Sequence, residues 1–169
     1  EVEVGTGACL YPCPLTQKRS SRDPTDWIPP RVAGDDRIRI GVAHGALDIL
    51  PGDTTNFPIR PDRTEVADLD YLALGDWHGL MLDFPFTPYP GTIEGTGYGE
   101  KAPGHVLVVE IQEAGVRPIL RPEKVGGLEW REIDAGIGDG TDVSALEERT
   151  GPREGWPRLL LRIRAEILP

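Results

Sequence analysis

The sequence predicts an α/β chain whose short strands end in polar residues able to bind a ligand. Three observations predict it. The apolar run 69–75 stops at a glycine and is followed at once by Asp76-Trp77-His78-Gly79. The run 36–43, in which Ile38, Ile40 and Val42 alternate with other residues, ends in the same way at His44-Gly45. From about residue 126 the pattern becomes strand, glycine-rich loop, short helix and strand. Period-two alternation marks a half-buried strand, and a polar cap ahead of good helix formers marks a helix start.

Taken in order, residues 1–15 read as one or two short strands ended by Pro12 and Pro14. Residues 16–36 are polar and loop-like, with Lys18-Arg19-Ser20-Ser21-Arg22 followed by Trp27 and Pro29-Pro30. The strand 36–43 follows. Residues 45–68 are loop with one helical turn near 63–68, leading into the strand 69–75. Three prolines within 83–90 (Pro85, Pro88 and Pro90) limit any strand there to an edge. The five glycines of 91–104 make that stretch a loop. The clearest remaining strand, 105–111, turns at Gln112-Glu113-Ala114-Gly115 into 116–121. Then come a strand over 128–133, a helix over 143–149 capped by Asp142, and a half-exposed strand over 158–167. The expected division is 1–125 and a small capping-like unit, 126–169.

Composition narrows the classes. The 169 residues are enough for one substantial core, or for one core with a small appendage. Eighteen Lys and Arg against 28 Asp and Glu leave a formal charge of −10. That argues against a broad electrostatic footprint for nucleic acid, but leaves room for a local basic stripe or for phosphates neutralised by bound metal. Cys9 and Cys13 form a lone C-x3-C pair, a poor zinc signature, and read as partly buried thiols of a reducing cytosol. No run reaches the roughly 18 apolar residues of a membrane span, and no secretory signal opens the chain. The expectation is a cytoplasmic protein without a membrane partner. Glu1 lies in mid-strand pattern, so the chain reads as a segment of a longer protein.

His44, Asp76 and His78 are the candidate metal ligands. Residues two apart on extended backbone point to one side, so Asp76 and His78 are expected to face one centre. Neutral imidazole suits zinc, manganese or iron, and a carboxylate shifts preference toward the harder ions.

Four motifs in order carry a resemblance. They are His44-Gly45, Leu74-Gly75-Asp76-Trp77-His78-Gly79, Tyr89-Pro90-Gly91-Thr92, and Pro103-Gly104-His105-Val106-Leu107-Val108-Val109-Glu110. Together they resemble the C-terminal half of the calcineurin-like metallophosphoesterases, specifically the SbcD-type DNA-repair exonuclease group, most fully over 36–121. The resemblance implies part of a four-layer α/β/β/α sandwich with a small α+β capping unit. It implies two divalent metal ions, manganese first, with iron, zinc or magnesium as alternatives. His44 and Asp76 would hold the second ion and His78 would reach the first. Asp76 stands where the group usually has histidine. The implied activity is phosphodiester hydrolysis, on DNA, by a hydroxide that two metals activate. The implied partners are DNA or another phosphodiester, an ATPase and a second copy of the chain. The group's earlier motifs are absent from these residues, so the chain is expected to hold only part of the site and to be inactive alone. No catalytic residue other than the metal ligands is assigned within it.

Plainer readings stand beside these. His44 alone is a strand-end histidine bonded to backbone, and Asp76 with His78 alone is a capped, solvated turn. His105 is read as a surface or core histidine, and Trp77 as packing beneath the site. Tyr89-Pro90-Gly91 is read as shaping a nearby loop, and the Arg and Lys runs as solvated charge. The alternative functions are a non-catalytic binding or structural module derived from the same fold, and a phosphoesterase acting on a small molecule.

Overall fold

A computed structural model describes residues 1–5, 7–50, 55–138, 140–151 and 158–167, with the side chains of 140 and 141 outside that description. The elements are β1 (Val2–Val4), β2 (Ala8–Cys13), β3 (Ile38–His44), β4 (Ala46–Leu47), β5 (Pro58–Ile59), α1 (Arg63–Ala67), β6 (Tyr71–Gly75), β7 (His105–Glu110), β8 (Ile119–Lys124), β9 (Glu129–Ile137), α2 (Gly140–Thr150) and β10 (Leu159–Ile167).

The expected four-layer α/β/β/α sandwich is not what forms. The chain is a small, mostly β domain, 10% helix and 37% strand, in a β-solenoid-like arrangement. The physical reason lies in the element lengths. Such a sandwich needs helices long enough to roof both outer faces, but α1 has five residues and α2 eleven. Among the described residues the strands form one four-stranded sheet, in the order β1-β2-β3-β6, and three two-stranded pairs.

The four-stranded sheet positions the site. β1 pairs antiparallel with β2, whereas β2, β3 and β6 run parallel, so the carboxyl ends of three strands lie together. Parallel neighbours require crossover connections, and the loop 14–37 and the segment containing α1 supply them. β6 is the sheet edge, but it is not left bare: Leu72 N donates to Phe86 O at 2.7 Å. The core is Cys9, Tyr11, Ile28, Leu47, Ile59, Leu69, Leu72, Leu74, Tyr89 and their neighbours.

The alternation in β3 runs opposite to the sequence expectation. Arg39, Gly41 and Ala43 are buried, whereas Val42 is 43% exposed. Arg39 is 1% exposed and has its guanidinium fully engaged. It donates to Pro29 O at 2.6 Å, Ala67 O at 2.7 Å and Tyr11 Oη at 3.1 Å, and it lies 4.8 Å above the Tyr11 ring. A buried charge is tolerated when every donor finds an acceptor. Asp70, at the amino end of β6, completes the knot. It accepts from Arg39 N at 2.7 Å, Arg31 Nη2 at 2.9 Å and Gly115 N at 2.6 Å.

The 105–111 strand and its hairpin form as β7 and β8, antiparallel, although β8 begins only at Ile119. Beyond residue 126, β9 and β10 are parallel over nine residue pairs with α2 as their crossover. Asp142 lies in the first turn of α2 rather than at its cap, and its Oδ2 accepts from Gly138 N at 2.7 Å. Cys9 and Cys13 are buried free thiols. Among the described residues no helix is long and apolar enough to cross a membrane.

Candidate metal and phosphate site

The ends of β3 and β6 bring two of the three candidate ligands together. His44 is the last residue of β3 and pairs in register with Gly75, the last residue of β6. Gly45 N then donates to Gly75 O at 3.0 Å, so the two chains leave the sheet side by side. The result places His44 Nε2 3.4 Å from Asp76 Oδ1, with the two side chains 59% and 44% exposed.

Three local features hold this geometry. A Cβ on Gly75 would stand 3.0 Å from His44 Nδ1, so glycine leaves the room the imidazole uses. A Cβ on Gly45 would meet Phe57 O at 2.2 Å, so no larger residue fits there. Tyr89, fully buried, donates its hydroxyl to Gly45 O at 2.7 Å and accepts Leu47 N–H at 3.0 Å. Tyr89 thus shapes the turn after His44 from beneath, and burial pushes its pKa up to about 12.

Asp76 has φ of 119°, a region that L residues avoid. A residue held there costs roughly 1–3 kcal/mol, and such positions gather at functional sites. This turn also breaks the sequence argument that Asp76 and His78 share one face, because the strand stops at Gly75 and extended backbone stops with it. Asp76 lines two clefts. One, of about 490 Å³, is walled by Arg19, Ser20, Ser21, Thr55 and Asn56. The other, of about 530 Å³, is walled by Trp77, His78, Tyr98, Glu100 and Lys101.

His78 belongs to the second cleft. Its Nδ1 lies 2.9 Å from Glu100 Oε1 and 3.0 Å from Thr96 Oγ1. Burial raises the Glu100 pKa, but hydrogen bonds from the Thr96 hydroxyl and amide and from His78 outweigh it and hold the carboxyl low. A carboxylate only accepts, so Nδ1 carries the imidazole hydrogen and Nε2 is the nitrogen left for a ligand. His78 O accepts from Thr92 N at 3.1 Å, and a Cβ on Gly91 would stand 2.8 Å from that oxygen, so the 89–92 loop packs directly on this turn.

Tyr98, on the wall of the second cleft, is packed against side chains of the C-terminal strands. Trp130 Nε1 donates to Gly95 O at 2.8 Å, its ring meets Tyr98 edge-on at 4.8 Å, and Arg162 lies 3.8 Å over Tyr98. Trp77 is half-buried against the core. His105 opens β7 and lies outside both clefts, with Nδ1 3.0 Å from Ala102 O.

Sequence reasoning missed Glu100 and Thr96, whereas Arg19 falls in the Lys18–Arg22 run, weighed as a phosphate contact but read as solvated charge. Thr96 and Glu100 lie within a segment read only as glycine-rich loop. The one available signal was an acid four residues from a hydroxyl, shortly after the histidine they orient.

Two donors of the pair fit a divalent ion. Ligand bonds of about 2.1 Å meeting at 90–109° separate their donor atoms by roughly 3.0–3.4 Å, which matches the His44–Asp76 distance. Imidazole with carboxylate suits manganese, iron or zinc. Among the described residues no group of three or more His, Cys, Asp or Glu side chains is placed to hold one metal ion. No protein-family model matches this chain, and the search of curated proteins finds no match.

Proposed function

We propose that the chain carries part of a metal-dependent phosphodiesterase site, acting on a DNA strand or a chemically similar phosphodiester. The observation that supports this most is the His44–Asp76 pair. It lies 3.4 Å apart at the ends of two parallel strands, with Asp76 in a costly backbone conformation. His44 Nε2 and Asp76 Oδ1 would hold one ion. His78 offers Nε2 from the adjoining cleft, with its tautomer set by Glu100. Under this reading the remaining ligands lie outside the described residues. A divalent ion bound there supplies Lewis acidity toward a phosphoryl oxygen and lowers the pKa of water. The protein's own part is to fix the two ligands by strand register, to orient His78 through Glu100, and to offer polar walls to the substrate.

Hydrolysis of bis-p-nitrophenyl phosphate by the full-length protein loaded with Mn²⁺ tests the reading. His44→Ala and Asp76→Ala should each abolish turnover and weaken Mn²⁺ binding. Hydrolysis at the buffer rate, or wild-type rates in both variants, would overturn it.

The charge of −10 favours a second reading, a small phosphoester in place of duplex DNA. A steep fall of binding with salt supports DNA, and a flat response supports the small substrate. Cys9 and Cys13, unpaired and buried, support placement of the protein in the reducing cytoplasm.

A further inference from the structure

The loop 18–22 carries an unusual charge for this chain. In a protein of net charge −10, Lys18, Arg19 and Arg22 are all exposed, and among the described residues none of them makes an ion pair. Elsewhere the arginines are mostly engaged: Arg31 with Asp68 and Asp70, Arg37 with Asp35, and Arg60 with Asp62. Three cations without partners on one loop are a local exception to an acidic surface.

The loop is also built rather than loose. Ser20 N donates to Asn56 Oδ1 at 3.1 Å, Phe57 N donates to Ser20 O at 2.7 Å, and Arg22 N donates to Ser20 Oγ at 3.0 Å. Those bonds decide which atoms remain. The amide oxygen of Asn56 is occupied, so its Nδ2 hydrogens are the free donors. The Ser20 oxygen already accepts, so its hydroxyl hydrogen is free to donate. With Ser21 and Arg19, these donors line the cleft of about 490 Å³ that Asp76 also lines.

We propose that this cleft is a docking site for a phosphoryl group, with Arg19 as its principal recognition residue. Arginine's planar fork matches two phosphoryl oxygens, and hydroxyl and amide donors complete such a site. Asp76 opposes an anion unless a cation stands on it. The geometry therefore couples the cleft to the His44–Asp76 pair: a divalent ion there neutralises the carboxylate and draws the anion in. The place of this cleft in catalysis rests on the metal reading of that pair. Anion docking by Arg19 does not.

The test is a ¹H–¹⁵N NMR titration of the full-length protein with inorganic phosphate, and separately with dimethyl phosphate. The amides of Ser20, Ser21 and Asn56 should move together. Arg19→Ala should weaken binding by about fivefold or more, and Arg117→Ala, an equal charge change near the other end of the sheet, should leave it unchanged. Without metal, Asp76→Asn should tighten binding by about fivefold, the effect of one removed like charge near the surface. Zn²⁺, which suits the imidazole–carboxylate pair, should tighten binding to the wild type and lose that effect in Asp76→Asn. A response to either probe supports the site, and their relative affinities separate a diester from free phosphate. No movement of these three amides, or equal losses in Arg19→Ala and Arg117→Ala, overturns the proposal. Phosphate binding that passes these controls yet ignores Zn²⁺ overturns the metal reading and leaves the phosphoryl site standing.

Discussion

Glu100 holds His78 by its Nδ1: the carboxylate Oε1 lies 2.9 Å from that nitrogen, with Glu100 14% exposed and His78 57% exposed. Oε2 of the same carboxylate accepts Thr96 N–H at 2.8 Å, so the acid cannot swing away without losing a backbone bond. An exposed histidine otherwise samples two tautomers and several ring orientations. Here Nδ1 is tied, in a residue that lines the cleft shared with Trp77 and Tyr98.

Glu100→Ala should release that constraint. In ¹⁵N NMR at a pH where the imidazole is neutral, wild-type His78 should show a protonated Nδ1 and a bare Nε2, whereas the variant should show mixed tautomers. A carboxylate that ties the far nitrogen of a metal-binding histidine is worth about 10–100-fold in metal affinity, so under the proposed reading Mn²⁺ binding should fall by a factor in that range. An unchanged tautomer in the variant would remove Glu100 from its positioning role.

Asp76→Gly should separate stability from function. Glycine relieves the φ of 119°, and the folded state should gain up to about 1 kcal/mol, partly offset by the greater freedom of glycine in the unfolded chain. The same change removes one of the two proposed metal donors. Urea denaturation should show a higher midpoint while Mn²⁺ titration shows weaker binding. A lower midpoint would mean that the aspartate is in place for packing.

The strand ends were legible because apolar runs that stop at glycine state both the strand and its terminus. Thus β3 ending at His44 and β6 ending at Gly75 follow from the pattern, and the parallel register of those strands brings His44 beside Asp76. The inside of β3 was not legible. Ile38, Ile40 and Val42 alternate as a core face should, yet Arg39 takes the interior because Pro29 O, Ala67 O and Tyr11 Oη, all remote in sequence, are waiting for its donors. The layer architecture failed for a similar reason. Local pattern reports a strand, but which sheet it joins depends on crossover lengths and on helices that here stay short. Glu100 was hidden because its partner lies 22 residues away across a loop.

Tyr89→Phe tests the support beneath His44. The change leaves Gly45 O without its hydroxyl donor and Leu47 N–H without its acceptor, both in the core. Losing a partner at a buried polar group costs about 1–3 kcal/mol, and thermal or urea unfolding should register a loss in that range. Because Gly45 follows His44 directly, the loosened turn should also weaken Mn²⁺ binding. A stability loss without any change in metal affinity would show that the turn holds His44 by other means.

The same tyrosines set the alkaline limit of the fold. Burial pushes Tyr71 and Tyr89 up to about 12. Tyr11 is also raised, by burial first and Cys9 second, against the opposing pull of Arg39. In the unfolded chain a phenol titrates near about 10. Between those values the unfolded state has released protons that the folded state still holds, so raising the pH favours unfolding. Their contribution is therefore whole below about pH 10 and is lost as pH rises toward about 12. Cys13, raised chiefly by burial, starts the decline somewhat earlier. Urea denaturation at stepped pH should give a plateau that bends downward near about pH 9–10, and Tyr89→Phe should make the descent shallower by removing one of the protons involved. A slope that Tyr89→Phe leaves unchanged would mean that Tyr89 ionises alike in both states, which its burial against Gly45 and Leu47 does not allow.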